Sequence, residues 1–390
     1  MLTSATTEFI AAHRSDDPRA LALQARRYPG VDMREAVVQI EGWQHAREKL
    51  PAWAATDGII YPPRISMEQC SSEATALYKA SLVNGERMAD LTGGFGIDCS
   101  YMARGFRNAY YVERSELLCD IARVNFRQLG LEHINIINGN SENELSGLPA
   151  LDWIFIDPAR RDGAGRKVVA LSDCEPNVVE LEDVLLQKAT KVMVKCSPML
   201  DIAAAMRQLK SVSAVHVVAI NNECKELLFI LDSNASGNVP VHCVNMIKDR
   251  VENFSFTIDE EAHAAVSYSN GIGRYLYEPN AALQKSGCHR AMSQRLGVAK
   301  LHPNSHLYTS GMFIDSFPGR SFVVDKVVGF SKSDIKEIQS LGKANITVRN
   351  FPDTVQMLRK KLKLADGGDT YLFATTVANG DKVLAVCRKA

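Results

Sequence analysis

A chain of 390 residues is longer than one hydrophobic core usually organises, so two or more domains are expected. With 46% hydrophobic and 23% charged residues and no run of about 18 apolar residues, the composition fits a soluble globular protein and excludes a membrane-spanning helix. The formal net charge is zero, which excludes a whole-molecule charge argument for nucleic acid, yet from Lys343 onward nine Lys or Arg stand against four Asp, a surplus of five.

The segment 1–17 lacks the basic-then-apolar pattern of a secretory leader. The nine cysteines are an odd number with no C-x-x-C spacing, which predicts reduced thiols, no metal site and a cytoplasmic protein. Residues 1–82 read as helical, with apolar positions at helical spacing over 20–23 and 36–50. Pro51, Pro62 and Pro63 interrupt that pattern, and Ser71-Ser72-Glu73 opens a serine-capped helix over 74–83.

Over 83–234 the pattern changes to short β-rich runs separated by helix-length segments, which predicts a doubly wound parallel sheet of seven strands. The strands are expected at 88–91, 109–112, 134–137, 153–156, 192–194, 215–220 and 227–231. Only six residues separate the last two, too few for a crossover helix, so they are expected to pair as an antiparallel hairpin. Class I methyltransferases end their Rossmann-like sheet in this way, whereas dinucleotide dehydrogenases usually continue parallel. C-terminal α+β domains are expected over 235–320 and 321–390, with strands near 241–246, 254–257, 322–324, 371–376 and 383–387 and helices near 281 and over 354–362.

The most informative segment is Asp90-Leu91-Thr92-Gly93-Gly94-Phe95-Gly96-Ile97-Asp98, where the first strand turns into a helix. Glycines there permit positive φ and close approach of a ligand, while helix-start N–H groups point at an anion. Cys99 stands where a G-x-G-x-x-G fingerprint needs its third small residue, which counts against a dinucleotide. Asp90 can hold the amino group of a methionine moiety, and Glu113 closes the second strand where ribose hydroxyls would lie. A helix cap is the plain alternative for Glu113. Asn140, after the third strand, falls where an adenine edge would lie, although a turn of Asn and Gly needs no ligand to explain it. These residues, with Thr92, Gly93, Gly94 and Gly96, form the expected S-adenosylmethionine site. Gln69, Ser72 and Thr75 are expected to line it from the preceding helix, with capping as the alternative role of Ser72.

Strand four ends in Asp157-Pro158-Ala159-Arg160-Arg161, at the edge where open α/β sheets bind ligands. Methyltransferases of exocyclic amines carry Asp-Pro-Pro-aromatic there; Ala159 and Arg160 depart from it, and the arginines suit phosphate. Strand five ends in Lys195-Cys196-Ser197-Pro198. Uridine C5-methyltransferases have a similar Asp-Pro-Ala-Arg run and a nucleophilic Cys, so Cys196, its pKa lowered by Lys195, is a candidate nucleophile; a buried inert thiol is the alternative. Asp157, Pro158, Arg160 and Cys196 are the expected catalytic set.

These motifs, with Glu68-Gln69-Cys70-Ser71-Ser72-Glu73-Ala74-Thr75, 195–201, Tyr275-Leu276-Tyr277-Glu278-Pro279-Asn280 and Phe317-Pro318-Gly319-Arg320, resemble a bacterial family of class I methyltransferases with a C-terminal THUMP-like domain. The resemblance covers nearly the whole chain. It implies a helical N-terminal part, an S-adenosylmethionine-dependent methyltransferase domain, a ferredoxin-like insert and a THUMP-like end. True THUMP domains bind RNA, so tRNA or rRNA is the expected substrate. A small-molecule methyltransferase and a non-catalytic RNA-binding protein that keeps the cofactor fold are the rival readings.

Overall fold

The structure, a computed structural model, describes residues 3–160, 170–235, 237–248 and 250–390. Arg161 lies outside the described residues, and Arg160 is described in its backbone alone. The chain divides into two compact units, residues 1–212 with 228–235, and residues 213–227 with 236–390.

The first unit opens with helices Ser4–His13, Pro18–Ala22, Met33–Lys49, Pro51–Ala55, Arg64–Gln69 and Glu73–Ser81. Thr3, Asp32 and Ser72 cap three of them through side-chain oxygens, while Pro18 and Pro51 start helices where a missing N–H breaks no bond. Their apolar faces bury Ala46, Leu50, Trp53, Met67 and Ala76 in one cluster with Phe95, Ile97 and Tyr101 of the glycine turn and the helix it opens. Trp53 meets Phe95 edge-on at 5.0 Å between ring centroids. Burying each aromatic contributes about 1.5–3 kcal/mol, so the helical segment fixes the turn it covers.

Five parallel strands follow, β1 Gly85–Asp90, β2 Phe106–Glu113, β3 Ile134–Asn138, β4 Leu151–Ile156 and β5 Ala189–Cys196. Next come β6 Val212–Ile220 and β7 Glu223–Asp232, which complete the seven expected strands. The first unit has the order β3-β2-β1-β4-β5-β7, with residues 228–232 of β7 belonging to it. Helices Ile97–Met102, Glu116–Gln128, Val178–Lys188 and Ile202–Gln208 lie between the strands, as right-handed crossovers of a parallel sheet require. Asp90 stands opposite Tyr111 and Phe155, so the turns after β1, β2 and β4 leave the sheet at one edge.

In the second unit Asn221 and Asn222, both at positive φ (50° and 65°), make the two-residue turn that reverses β6 into β7, the antiparallel hairpin the short spacing requires. The strands β8 Pro240–Ile247 and β9 Arg250–Thr257 continue outward, β8 parallel to β6 and β9 antiparallel to β8. Within this unit they join β6 in one sheet.

A second sheet contains β10 Tyr275–Pro279, β11 Ala299–Lys300, β12 Tyr308–Ser310, β13 Gly319–Val328, β14 Asn345–Arg349, β15 Tyr371–Thr376 and β16 Lys382–Lys389, in the order β11-β12-β10-β13-β16-β15-β14. Alternation along β15 sends Leu372 and Ala374 into one core with Leu358 and Leu362 of helix Val355–Leu362. It sends Phe373 into the other core, with Leu276 and Phe322.

Candidate cofactor and catalytic site

The first unit gathers the expected residues at the carboxyl edge of β1, β2 and β4. Gly94 and Gly96 have φ of 56° and 85°, a left-handed region that side chains disfavour, and Gly96 is the last residue before helix Ile97–Met102. A Cβ on Gly93 would overlap the Tyr111 ring, and one on Gly96 would lie 2.9 Å from Phe126. At Gly94 a Cβ would meet only the Thr92 carbonyl, at 3.7 Å, so the outer surface of the turn is open there.

Glu113 holds the turn from beneath. One carboxylate oxygen accepts the Gly94 N–H at 2.8 Å and the other accepts the Ser115 N–H at 2.8 Å. The helix-capping reading therefore describes part of its role. Each oxygen keeps a second lone pair for a hydroxyl donor. Asp90 is buried and accepts the Thr92 N–H at 3.0 Å. Burial pushes its carboxyl well above the ordinary range, a state that a cationic partner would reverse. The Thr92 hydroxyl accepts the Asp157 N–H at 2.7 Å, tying the end of β4 to the turn.

Asp157 does not stand alone. Its Oδ2 lies 2.6 Å from Lys195 Nζ, which lies 3.3 Å from Asp98 Oδ2. Asp98 in turn receives Lys79 Nζ at 3.2 Å and the Ser71 hydroxyl at 2.7 Å. Lys79 is fully buried, which a lysine sustains only when its charge is matched. Burial alone would raise the Asp98 carboxyl, but Lys79, Lys195 and the Ser71 hydroxyl outweigh it and hold the group below its ordinary value. Sequence reasoning missed Ser71, Lys79 and Asp98. A lysine on the same face as buried Thr75, four residues earlier, was the signal available.

The remaining expected residues fall differently. Ser72 caps its own helix, accepting the Thr75 N–H at 3.3 Å, and Thr75 is buried. Gln69 is exposed at the end of helix Arg64–Gln69. Asn140 is exposed and makes no capping bond, leaving its carboxamide uncommitted. Pro158 follows Asp157, and the Arg160 backbone pairs with Cys174 in a two-residue ladder. The expected activation of Cys196 is corrected: burial, and then the Asp157 carboxylate, push its thiol well above the ordinary value, while Lys195 is engaged by Asp157 and Asp98. A thiol kept protonated is a poor nucleophile.

The strand order and the turn after β1 define a doubly wound, Rossmann-like methyltransferase fold. The chain belongs to the same family as a candidate methyltransferase from Porphyromonas gingivalis W83, whose crystal structure it matches at 36% identity over 100% of both chains with a TM-score of 0.91. Residues 275–318 match a ferredoxin-like domain and residues 319–389 a THUMP-like domain. TrmK of M. capricolum, solved with S-adenosylhomocysteine, is 14% identical over 41% of this chain and 68% of its own, with a TM-score of 0.33. An rRNA methylase from Streptococcus thermophilus is 14% identical over 41% of this chain and 94% of its own, with a TM-score of 0.32. Likenesses this loose carry no argument. No curated protein matches the chain. Among the described residues, no helix is long and apolar enough to cross a membrane.

Proposed function

We propose that the protein is a cytoplasmic S-adenosylmethionine-dependent methyltransferase that modifies a base in tRNA or rRNA. The observation that carries this reading is the convergence of a glycine turn, two carboxylates and the Asp157–Lys195 pair on one edge of the sheet. The donor set fits the cofactor. The open face at Gly94 admits a ligand against the backbone, Asp90 would take the methionine ammonium, Glu113 the ribose hydroxyls and Asn140 the adenine edge. When bound, S-adenosylmethionine supplies an electrophilic methyl group on its sulfonium.

Asp157 would act on the acceptor. Its carboxylate is 37% exposed at the strand end, and its second oxygen is free of the Lys195 bond, so it can accept the hydrogen of an acceptor amine or hydroxyl and hold the lone pair in line. Lys195 fixes that carboxylate in one orientation. The protonated state of Cys196 favours this direct transfer over covalent attack on a pyrimidine ring.

RNA as the substrate is supported by the THUMP-like match and by the basic surplus. Lys360, Lys361 and Lys363, at the end of helix Val355–Leu362, are exposed, and a shallow groove runs between Arg359, Lys360, Lys363 and Gln356. The nine free thiols suit a reducing compartment. The reading is tested by modification mapping across the transcripts of a deletion strain: one vanished mark names base and atom together. Unchanged RNA alongside turnover of a metabolite would overturn it.

A further inference from the structure

The stretches Tyr275-Leu276-Tyr277-Glu278-Pro279-Asn280 and Phe317-Pro318-Gly319-Arg320 take no part in the site described above. They meet in the second unit, where Glu278 on β10 stands opposite Arg320 on β13. The Glu278 side chain is 3% exposed. One of its oxygens accepts Arg320 through Nε at 2.7 Å and also through Nη2. The other lies 2.7 Å from Nη2 of Arg349, the last residue of β14. Three strands lie between β10 and β14 in the sheet, so no ladder brings this pair together.

One carboxylate facing two guanidinium groups leaves a positive surplus. That surplus faces outward, because Arg320 and Arg349 are 41% and 38% exposed while Glu278 is not. Each guanidinium has five donors; the carboxylate accepts hydrogen bonds from two of Arg320's, while Arg349 is ion-paired with it and donates Nη1 to the Val348 carbonyl. Stacking over Phe322 at 5.5 Å holds the plane of Arg320. Polar atoms without hydrogen-bond partners collect here: among the described residues, the buried Arg349 Nε, Thr375 Oγ1 and Glu278 Oε1 have none. Thr375 is the register partner of Arg349 on β15. Burial pushes the nearby His306 imidazole down, and the charges of Lys300 and Arg349 add to it. A carboxylate buried only to join strands would need one cation, and an apolar pair would serve as well.

We propose that Arg320 and Arg349, oriented by Glu278, form a phosphate-binding site. Two planar forks set on one carboxylate present divergent donors that a tetrahedral oxyanion can accept two at a time. A phosphodiester of an RNA strand is the source to which this surface fits best, and only that choice of source rests on the RNA reading. A free phosphate group shares the chemistry.

The full-length protein tests both. Binding of inorganic phosphate is followed by calorimetry, and binding of a fluorescently labelled 12-nucleotide RNA by anisotropy at several salt concentrations. The variants are Arg320→Lys and Arg349→Lys, which keep a cation on Glu278 but lose the fork, each checked by thermal melting. Arg250→Ala on the same unit, paired with Glu252, is the control. The expected result is RNA binding weakened roughly tenfold by each Lys variant at low salt through loss of the fork, with a log–log salt slope little changed because the charge is kept, an unchanged melt and an unaffected control. Phosphate binding that the Lys variants weaken, without RNA binding by the parent, would sustain the site and overturn RNA as its source. Variants that melt as the parent does and bind both probes as tightly would overturn the site.

Discussion

Lys195 reaches from β5 to the turn after β1, with its Nζ 3.3 Å from Asp98 Oδ2. The same ammonium holds Asp157 at 2.6 Å, so one cation joins the residue proposed to act on the acceptor to the helix that opens the cofactor turn. Through Asp98 the chain of contacts continues to Lys79 of helix Glu73–Ser81 and to Ser71 just before that helix. The cofactor turn is thus braced by charge on one side and by the Trp53–Phe95 contact on the other.

Lys195→Met would leave Asp98 and Asp157 with one cation fewer, and a buried charge stripped of a partner typically costs about 3 kcal/mol. The sign with pH follows from Asp98, whose carboxyl is held below its ordinary value. Its pairing stabilises the fold above the unfolded pKa, near 3.9, and that contribution is lost as pH falls through the folded value. The gap between parent and variant in denaturant unfolding should therefore be wide at pH 7 and should shrink as pH falls from about 4 through the folded value. A gap independent of pH would mean that packing, not charge, is what Lys195 supplies.

Asp90 behaves in the opposite sense. Burial raises its carboxyl, so ionising it destabilises the folded protein progressively as pH rises from the unfolded pKa through the folded one. Asp90→Asn keeps an oxygen for the Thr92 N–H and removes that penalty, so the variant should melt higher than the parent at neutral pH. It should also bind S-adenosylmethionine at least tenfold more weakly, since its ammonium would lose an ionic partner. Higher stability with unchanged affinity would remove Asp90 from the cofactor site.

The three glycines of the turn should rank by what their new Cβ meets. Gly93→Ala strikes the Tyr111 ring and should be the most destabilising, and Gly96→Ala meets Phe126 at 2.9 Å from a left-handed backbone. Gly94→Ala faces open space and should cost only the left-handed strain, about 1–2 kcal/mol, while obstructing the cofactor. Thermal melts of the three variants beside their S-adenosylhomocysteine affinities would expose any other order.

Substrate and cofactor should separate by mutation. Changing Lys360, Lys361 and Lys363 together to Ala should weaken RNA binding and flatten its salt dependence, by up to about one log–log unit for each duplex phosphate that the lysines no longer neutralise, with cofactor affinity intact. Asp157→Ala should abolish methyl transfer and nearly preserve RNA affinity. A triple variant that keeps the parent's salt slope would discard the Val355–Leu362 helix as an RNA surface.

The seven strands and the glycine turn were legible because their signals are local: β-rich runs, helix-length spacers, and glycines where the chain must bend. The reversal of β6 into β7 followed from their short spacing, although the turn is two residues long and not the six expected. What the sequence hid was tertiary. Asp98 in the first turn of a helix reads as an ordinary acid favoured by the helix dipole, and Lys79 as a solvated lysine; only packing shows both to be buried. Ser71 and Ser72 are adjacent and alike, and local rules select Ser72 as the cap, whereas Ser71 is the one that reaches Asp98. At Cys196 the sequence left a nucleophile and a buried thiol both open, because the motif around it says nothing of the desolvation that pushes the thiol up.

Calorimetry of the full-length protein with S-adenosylmethionine and S-adenosylhomocysteine tests the central claim most directly. The account predicts that both bind at one site per chain and that Asp90→Asn weakens both. At a pH low enough for the raised Asp90 carboxyl to be protonated, binding should also release a proton, seen as a heat that varies with the ionisation enthalpy of the buffer, because a cation placed on Asp90 drives it to ionise. A protein that ignores both ligands and takes up a nicotinamide dinucleotide instead would contradict it.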